Sequence, residues 1–298
     1  MRRFSGVRLA VVGSMLVGLL ALVPALPASA TSTSNSNPNN YLALGDSVPF
    51  GYNPLLVKPG VSPSVFVGYP ELVSNLFRPQ LKVVNASCPG ETSASLITGT
   101  RPDYGCQDYR QSIGALHVSY QGSQLKFAEH YLAANRQTKF VSLMIGANDL
   151  YMLQDSCAGA VNANACLQAG LPGALATVQA NLVTIYRGLR AAGYKGEFVA
   201  VTYYSTNYTD PVVTGAAQAL DGVLSAVTRS YGGKVANGFA AFAAVAAFHG
   251  GDSCAAGLLI HLTSTTCDEH PSRAGADLLA LALYAAVGPE WPNTGPRT

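Results

Sequence analysis

Ser47 has the setting of a catalytic nucleophile. The apolar run Tyr41-Leu42-Ala43-Leu44 leads into Gly45-Asp46-Ser47, and Gly51 follows four residues after the serine. Such a run bounded by turn residues reads as a buried strand. Ser47 then lies just past its carboxyl end, where open α/β sheets gather ligand-binding groups. A nucleophilic serine suits acyl transfer, which also needs a base and donors for the developing oxyanion. Gly-Asp-Ser is equally good turn chemistry. A second copy, Gly251-Asp252-Ser253, follows no apolar strand and is expected to be a plain turn.

Three further segments carry the chemical reading. Asn85-Ala86-Ser87-Cys88-Pro89-Gly90-Glu91-Thr92 follows the apolar run Leu81-Lys82-Val83-Val84. Gly146-Ala147-Asn148-Asp149 follows Phe140-Val141-Ser142-Leu143-Met144-Ile145. Cys267-Asp268-Glu269-His270-Pro271-Ser272 precedes a C-terminal helical pattern. In order and context these blocks resemble the GDSL, or SGNH, family of serine esterases and lipases, from about Tyr41 to about Val287. That family draws a serine, a glycine, an asparagine and a histidine from four blocks, which match Ser47, Gly90, Asn148 and His270.

The resemblance implies a division of labour. Ser47 Oγ attacks the ester carbonyl, and His270 takes its proton and later returns it to the leaving alcohol. The oxyanion hole comprises the backbone N–H groups of Ser47 and Gly90 and the side-chain amide of Asn148. Glycine lets a backbone approach a ligand closely, and an asparagine NH₂ is a neutral donor. The family usually has an aspartate three residues before the histidine, but that position here is Cys267. Asp268 stands two before, and residues two apart on an extended segment project to the same side. Either Asp268 or a backbone carbonyl near Cys267 therefore orients His270, with Glu269 facing away. Asp46 and Asp149 are expected to bond nearby backbone, and His117, His130, His249 and His261 to lie outside the chemistry.

These residues need a sheet to hold them. Strands are expected at Tyr41–Leu44, Leu81–Asn85, Phe140–Ile145, Glu197–Tyr203 and Lys234–Ala236. Helical patterns separate them: Tyr69–Phe77, Leu125–Ala134, the stripe Leu175, Val178, Leu182, Ile185 and Leu189, then Val212–Tyr231. A last helix starts near Ser272 and runs through Leu278, Leu281 and Tyr284. Strands alternating with helices argue for a mainly parallel sheet covered on both faces. The resemblance makes this a three-layer α/β/α, flavodoxin-like fold with five strands. Residues 94–122 and 151–172, rich in Gly, Asn, Gln and Ser, read as loops over the strand ends.

Composition bounds the rest. Met1-Arg2-Arg3, an apolar stretch from Leu9 to Leu26 and Ala28-Ser29-Ala30 mark residues 1–30 as a secretory signal. Residues 31–40 form a polar, disordered linker, 41–288 the hydrolase domain, and 289–298 an irregular tail. Beyond the signal the chain carries fifteen basic and sixteen acidic residues. No basic stripe remains, so nucleic-acid binding lacks electrostatic support. A secreted monomer without metal, cofactor or membrane span is expected. Six cysteines in an exported chain imply disulfides. Of fifteen possible connectivities, sequence order favours Cys88–Cys106, Cys157–Cys166 and Cys254–Cys267. The α/β-hydrolase signature G-x-S-x-G occurs at no serine. Tyr104, Tyr109, Tyr120, Tyr203, Tyr204 and Tyr208 suit an uncharged ester with an apolar acyl group, but would equally stack on sugars. A lipid or simple carboxylic ester is favoured, with a sugar O-acetyl ester as runner-up and an inactive secreted binding module as the rival from another class.

Overall fold

Five strands whose side chains are largely apolar form the centre of the computed structural model, which describes residues 39–288. They are β1 (Asn40–Gly45), β2 (Lys82–Asn85), β3 (Phe140–Met144), β4 (Glu197–Val201) and β5 (Lys234–Ala236). All pair in parallel, in the order β2-β1-β3-β4-β5. This is the flavodoxin-like order, with its ligand crevice past the carboxyl ends of β1 and β3. Every residue of β1 and β3 is buried, as strands covered on both faces require. Tyr41 stacks on Phe140 at 4.2 Å between ring centres, and its hydroxyl shares a 2.6 Å hydrogen bond with Ser142, the polar residue inside β3.

Ten α-helices complete the described residues: α1 (Ser47–Phe50), α2 (Tyr69–Ser74), α3 (Ser93–Thr98), α4 (Cys106–Asp108), α5 (Gln124–Ala134), α6 (Ala147–Cys157), α7 (Ala163–Ala191), α8 (Pro211–Ser230), α9 (Gly238–Ala246) and α10 (Arg273–Val287). On one side α10 packs against α2 and α9; on the other α7 packs against α3, α5, α6 and α8. Side chains start these helices where sequence chemistry allows. Ser123 accepts from Lys126 N, Asp210 from Val212 N, and Ser272 from Gly275 N. A two-stranded antiparallel ribbon, β6 (Leu259–His261) and β7 (Cys267–Pro271), precedes α10. No described helix is long and apolar enough to cross a membrane.

The fold departs from the sequence expectations in several places, and those expectations include neither α9 nor the β6–β7 ribbon. Asn40, assigned to the linker, opens β1 and pairs with Lys82. β4 stops at Val201, because Tyr203 N turns to the Asp221 carboxylate at 2.8 Å instead of a strand carbonyl. Residues 151–172 are mostly helical. Asn162 caps α7 by accepting from Ala165 N, and the Cys157–Cys166 disulfide ties the end of α6 to the first turn of α7. Polar composition concealed a capped helix there. The segment 94–122 holds the rest of α3, α4 and a π turn over Tyr109–Ile113. The expected signal, linker residues 31–38 and the tail lie outside the described residues.

Candidate active site

Gly45 ends β1 with φ +139°, and a Cβ there would sit 2.0 Å from the Met144 carbonyl oxygen. Only glycine lets β1 and β3 stay this close while the chain turns. Asp46 then caps α1, accepting from Val48 N at 3.0 Å. Ser47 is therefore the first residue of α1, 9% exposed, just past the sheet. Its backbone N–H has no partner among the described residues.

The ribbon brings His270 to it. His270 Nε2 lies 2.7 Å from Ser47 Oγ, and His270 Nδ1 lies 2.5 Å from Asp268 Oδ1. The same carboxylate oxygen accepts from His270 N at 3.0 Å. Asp268 and His270 share one side of β7, as two-residue spacing on a strand demands. Between them, the Glu269 carbonyl accepts from Tyr204 Oη at 2.7 Å. Burial works to raise the Asp268 carboxyl, but the hydrogen bonds and charge of His270 outweigh it and hold it below its ordinary value. Tyr52 covers the imidazole, with ring centres 4.9 Å apart.

Gly90 and Asn148 arrive just past the two strands that flank β1. Gly90 follows β2 at φ +77°, where a Cβ would meet Tyr104 O at 2.5 Å. Its N–H has no partner among the described residues. Asn148 opens α6 after β3 and is 5% exposed. One hydrogen of its Nδ2 is committed to Glu91 O at 2.8 Å, which fixes the amide and leaves the second free. Asp149 holds α6 against α3, accepting from Ser93 N at 2.8 Å and Ser93 Oγ at 2.6 Å. Disulfides Cys88–Cys106 and Cys254–Cys267 flank Gly90 and His270, with Cα separations of 5.6 and 5.7 Å.

A model of the GDSL-like lipase/acylhydrolase family matches residues 43–278, a span containing all four blocks. The chain belongs to this family. As a member of the GDSL-like lipases and acylhydrolases, it is a carboxylic ester hydrolase. Its fold is similar to that of the acetylxylan esterase Axe2 from Geobacillus stearothermophilus, at TM-score 0.53 and 21% identity over 85% of this chain and 95% of that one. It is also similar to phospholipase A1 from Streptomyces albidoflavus NA297, at TM-score 0.53 and 20% identity over 83% of this chain and 99% of that one. A hydrolase from the metagenome of Lake Arreo, LAE5, gives TM-score 0.53 at 16% identity over 84% and 94%. No curated protein matches the sequence.

The GDSL core of this chain also relies on residues its motifs do not mark. Tyr203 Oη donates to Asp46 Oδ2, next to Ser47 in the chain. Gln124 and Glu91 form a buried hydrogen-bonded pair beside Gly45 and Gly90. Neither pairing has a local sequence signal, because the partners lie far apart in the chain. The tyrosines assigned to substrate loops mostly serve packing instead: Tyr109, Tyr120, Tyr203 and Tyr204 are buried. Tyr208 Oη donates to Phe239 O at 2.7 Å. Tyr104 alone of the six is exposed, stacked 5.7 Å from Tyr151. Two groupings with metal-ligand potential, Cys254/His261/Cys267 and Cys88/Glu91/Cys106, are built on disulfide sulfurs, which offer no thiolate.

Loss of hydration raises Asp46 to about 6 and Glu91 and Asp221 to about 7, against partial relief from their hydrogen bonds. Between the ordinary carboxyl value near 4 and these raised values, the native protein binds more protons than the unfolded chain. The stability these three groups contribute is therefore full at acid pH and declines as pH rises through 6 and 7. Tm is expected to be about 5 °C lower at pH 8 than at pH 5. A calorimetric Tm that climbs across this interval would contradict the protonated assignment.

Proposed function

We propose that this family member is an exported serine esterase that acts on lipid or simple carboxylic esters. Ser47 forms the acyl-enzyme, His270 serves as base and then acid, and Asp268 orients the imidazole. The donors are Ser47 N–H, Gly90 N–H and Asn148 Nδ2. One observation carries the reading: Ser47 Oγ, the His270 ring and the Asp268 carboxylate run in one hydrogen-bonded line of 2.7 and 2.5 Å. The three disulfides favour an oxidising compartment.

An apolar acyl group is favoured by the segment that follows the nucleophile. After Tyr52, which covers His270, come Leu55, Leu56, Val65 and Val67, each at least 41% exposed. Exposed apolar groups clustered in one segment suit an apolar ligand. A sugar acetate is the second reading. It draws on Tyr104, whose N–H donates to Gly90 O at 2.8 Å and whose ring stacks on Tyr151. Such an aromatic face beside the donor glycine would also suit a pyranose.

Rates over p-nitrophenyl esters of rising chain length, measured beside acetylated xylan, separate the two. The favoured reading expects kcat/KM to rise from acetate toward medium-chain acyl groups by at least about tenfold, the least that one methylene gains in an apolar pocket. Activity confined to acetylated xylan would overturn it.

A further inference from the structure

Gln124 lies far from the four motif blocks in sequence, yet its side chain meets two of them. It is the first residue of α5 and 1% exposed. Its Oε1 accepts from Gly45 N at 2.6 Å, and its Nε2 donates to Gly45 O at 3.0 Å. The amide thus pairs with Gly45 as a neighbouring strand would, on the side where the ladder between β1 and β2 has already ended at Ala43 and Asn85. The second hydrogen of Nε2 goes to Glu91 Oε2 at 3.2 Å. Every hydrogen of the primary amide is used.

The two partners lead to all three proposed oxyanion donors. Gly45 stands two residues before Ser47, and its carbonyl also accepts from Cys88 N at 3.1 Å, just before Gly90. Glu91 is bonded to Gly90 through the chain, and its carbonyl accepts from Asn148 Nδ2 at 2.8 Å. The Glu91 carboxylate is held from its other side by Ser95 Oγ at 2.5 Å. One buried amide therefore joins the block carrying the Ser47 donor to the block carrying Gly90 and fixing Asn148. Donors of this kind act only when held at the oxyanion position before the charge develops.

We infer that Gln124 is a positioning residue for transition-state stabilisation: it sets the spacing of the Ser47 and Gly90 N–H groups and, through Glu91, the Asn148 amide. It touches neither substrate nor reacting atoms. The inference rests on the proposed oxyanion hole.

Kinetics of Gln124→Leu and Gln124→Glu, beside wild type, test it. The leucine variant removes all three hydrogen bonds. Its kcat is expected to fall at least about tenfold, part of the loss seen when an oxyanion donor is deleted, with KM within about threefold. Inhibition by a trifluoromethyl ketone, whose adduct carries the oxyanion, should weaken in proportion to kcat, while labelling of Ser47 as a nucleophile persists. A folded leucine variant with kcat within about threefold of wild type sinks the inference, as does a loss confined to KM.

Should the leucine variant fail to fold, the glutamate variant decides. Its carboxyl still accepts from Gly45 N but can donate only when protonated. The charged and titratable groups acting on Glu91 besides are Asp103, Arg110 and the Tyr120 phenol. The ratio of variant to wild-type kcat is expected to fall as pH rises and the facing carboxyls ionise. A ratio flat across pH overturns the inference. If wild type itself hydrolyses no ester, the functional proposal fails and the inference with it; an unaffected variant beside an active wild type refutes the inference alone.

Discussion

Ser47→Ala is expected to abolish ester hydrolysis, lowering kcat by roughly 10⁵-fold or more, the scale seen when a triad serine is removed. The expectation follows from what its hydroxyl touches. Among the described residues Ser47 Oγ has one hydrogen-bond partner, His270 Nε2, and the helix start is secured by the neighbouring Asp46 carboxylate. Deleting the oxygen removes the nucleophile while leaving the cap, the Gly45 turn and the backbone N–H donor in place. Tm should therefore stay within about 2 °C of wild type, the range of a change of about 0.5 kcal/mol in a domain of this size. Residual turnover above the water rate would measure the donors alone. A folded alanine variant retaining a tenth or so of wild-type kcat would refute Ser47 as the nucleophile; removal of a triad serine leaves far less.

The second large effect is expected at Asp268. Asp268→Asn preserves size and loses charge, and kcat should fall at least a hundredfold, toward the roughly 10⁴-fold known for a triad orienter. What the substitution removes is the carboxylate charge, whose Oδ1 faces the ring nitrogen Nδ1 at 2.5 Å and the backbone N–H of His270 at 3.0 Å. An asparagine can present an NH₂ to Nδ1 and favour the tautomer whose Nε2 already carries a proton, which cannot accept one from Ser47. It also leaves the imidazolium without a counter-charge during acyl transfer. A loss within about threefold would instead describe a Ser47–His270 dyad and make the Asp268 contact a local turn bond. The alternative orienter, a carbonyl near Cys267, is not what faces Nδ1: the carboxylate does.

Much of this was legible in the chain because it is local. An apolar run closed by Gly-Asp-Ser, Pro-Gly or Gly-Ala-Asn states both a buried strand and the residue delivered at its end. Apolar runs located the sheet's five strands, periodicity the helices that follow Ser123 and Asp210, and a cap the one after Ser272. Polarity was a poorer guide. Residues 151–172 carry Gly, Asn and Gln, yet Asn162 caps a helix and the Cys157–Cys166 bond anchors it. Tyrosines in apparent loops turned out to be core, because only burial against α-helices and the sheet, not residue type, decides whether a phenol faces solvent.

By itself the sequence determined the residue types, their order, and the two-residue spacing that puts Asp268 and His270 on one side of an extended strand. Those follow from bonded geometry and short-range periodicity, which need no folded partner. The tertiary structure alone decided that β7 forms a ribbon with β6 and lays His270 against Ser47, 223 residues away in the chain. It alone decided that Gln124 joins Gly45 to Glu91 and that Tyr203 meets Asp46. Such contacts form between segments brought together by the parallel crossovers, and nothing local in either segment specifies which distant group will satisfy a buried amide or carboxylate.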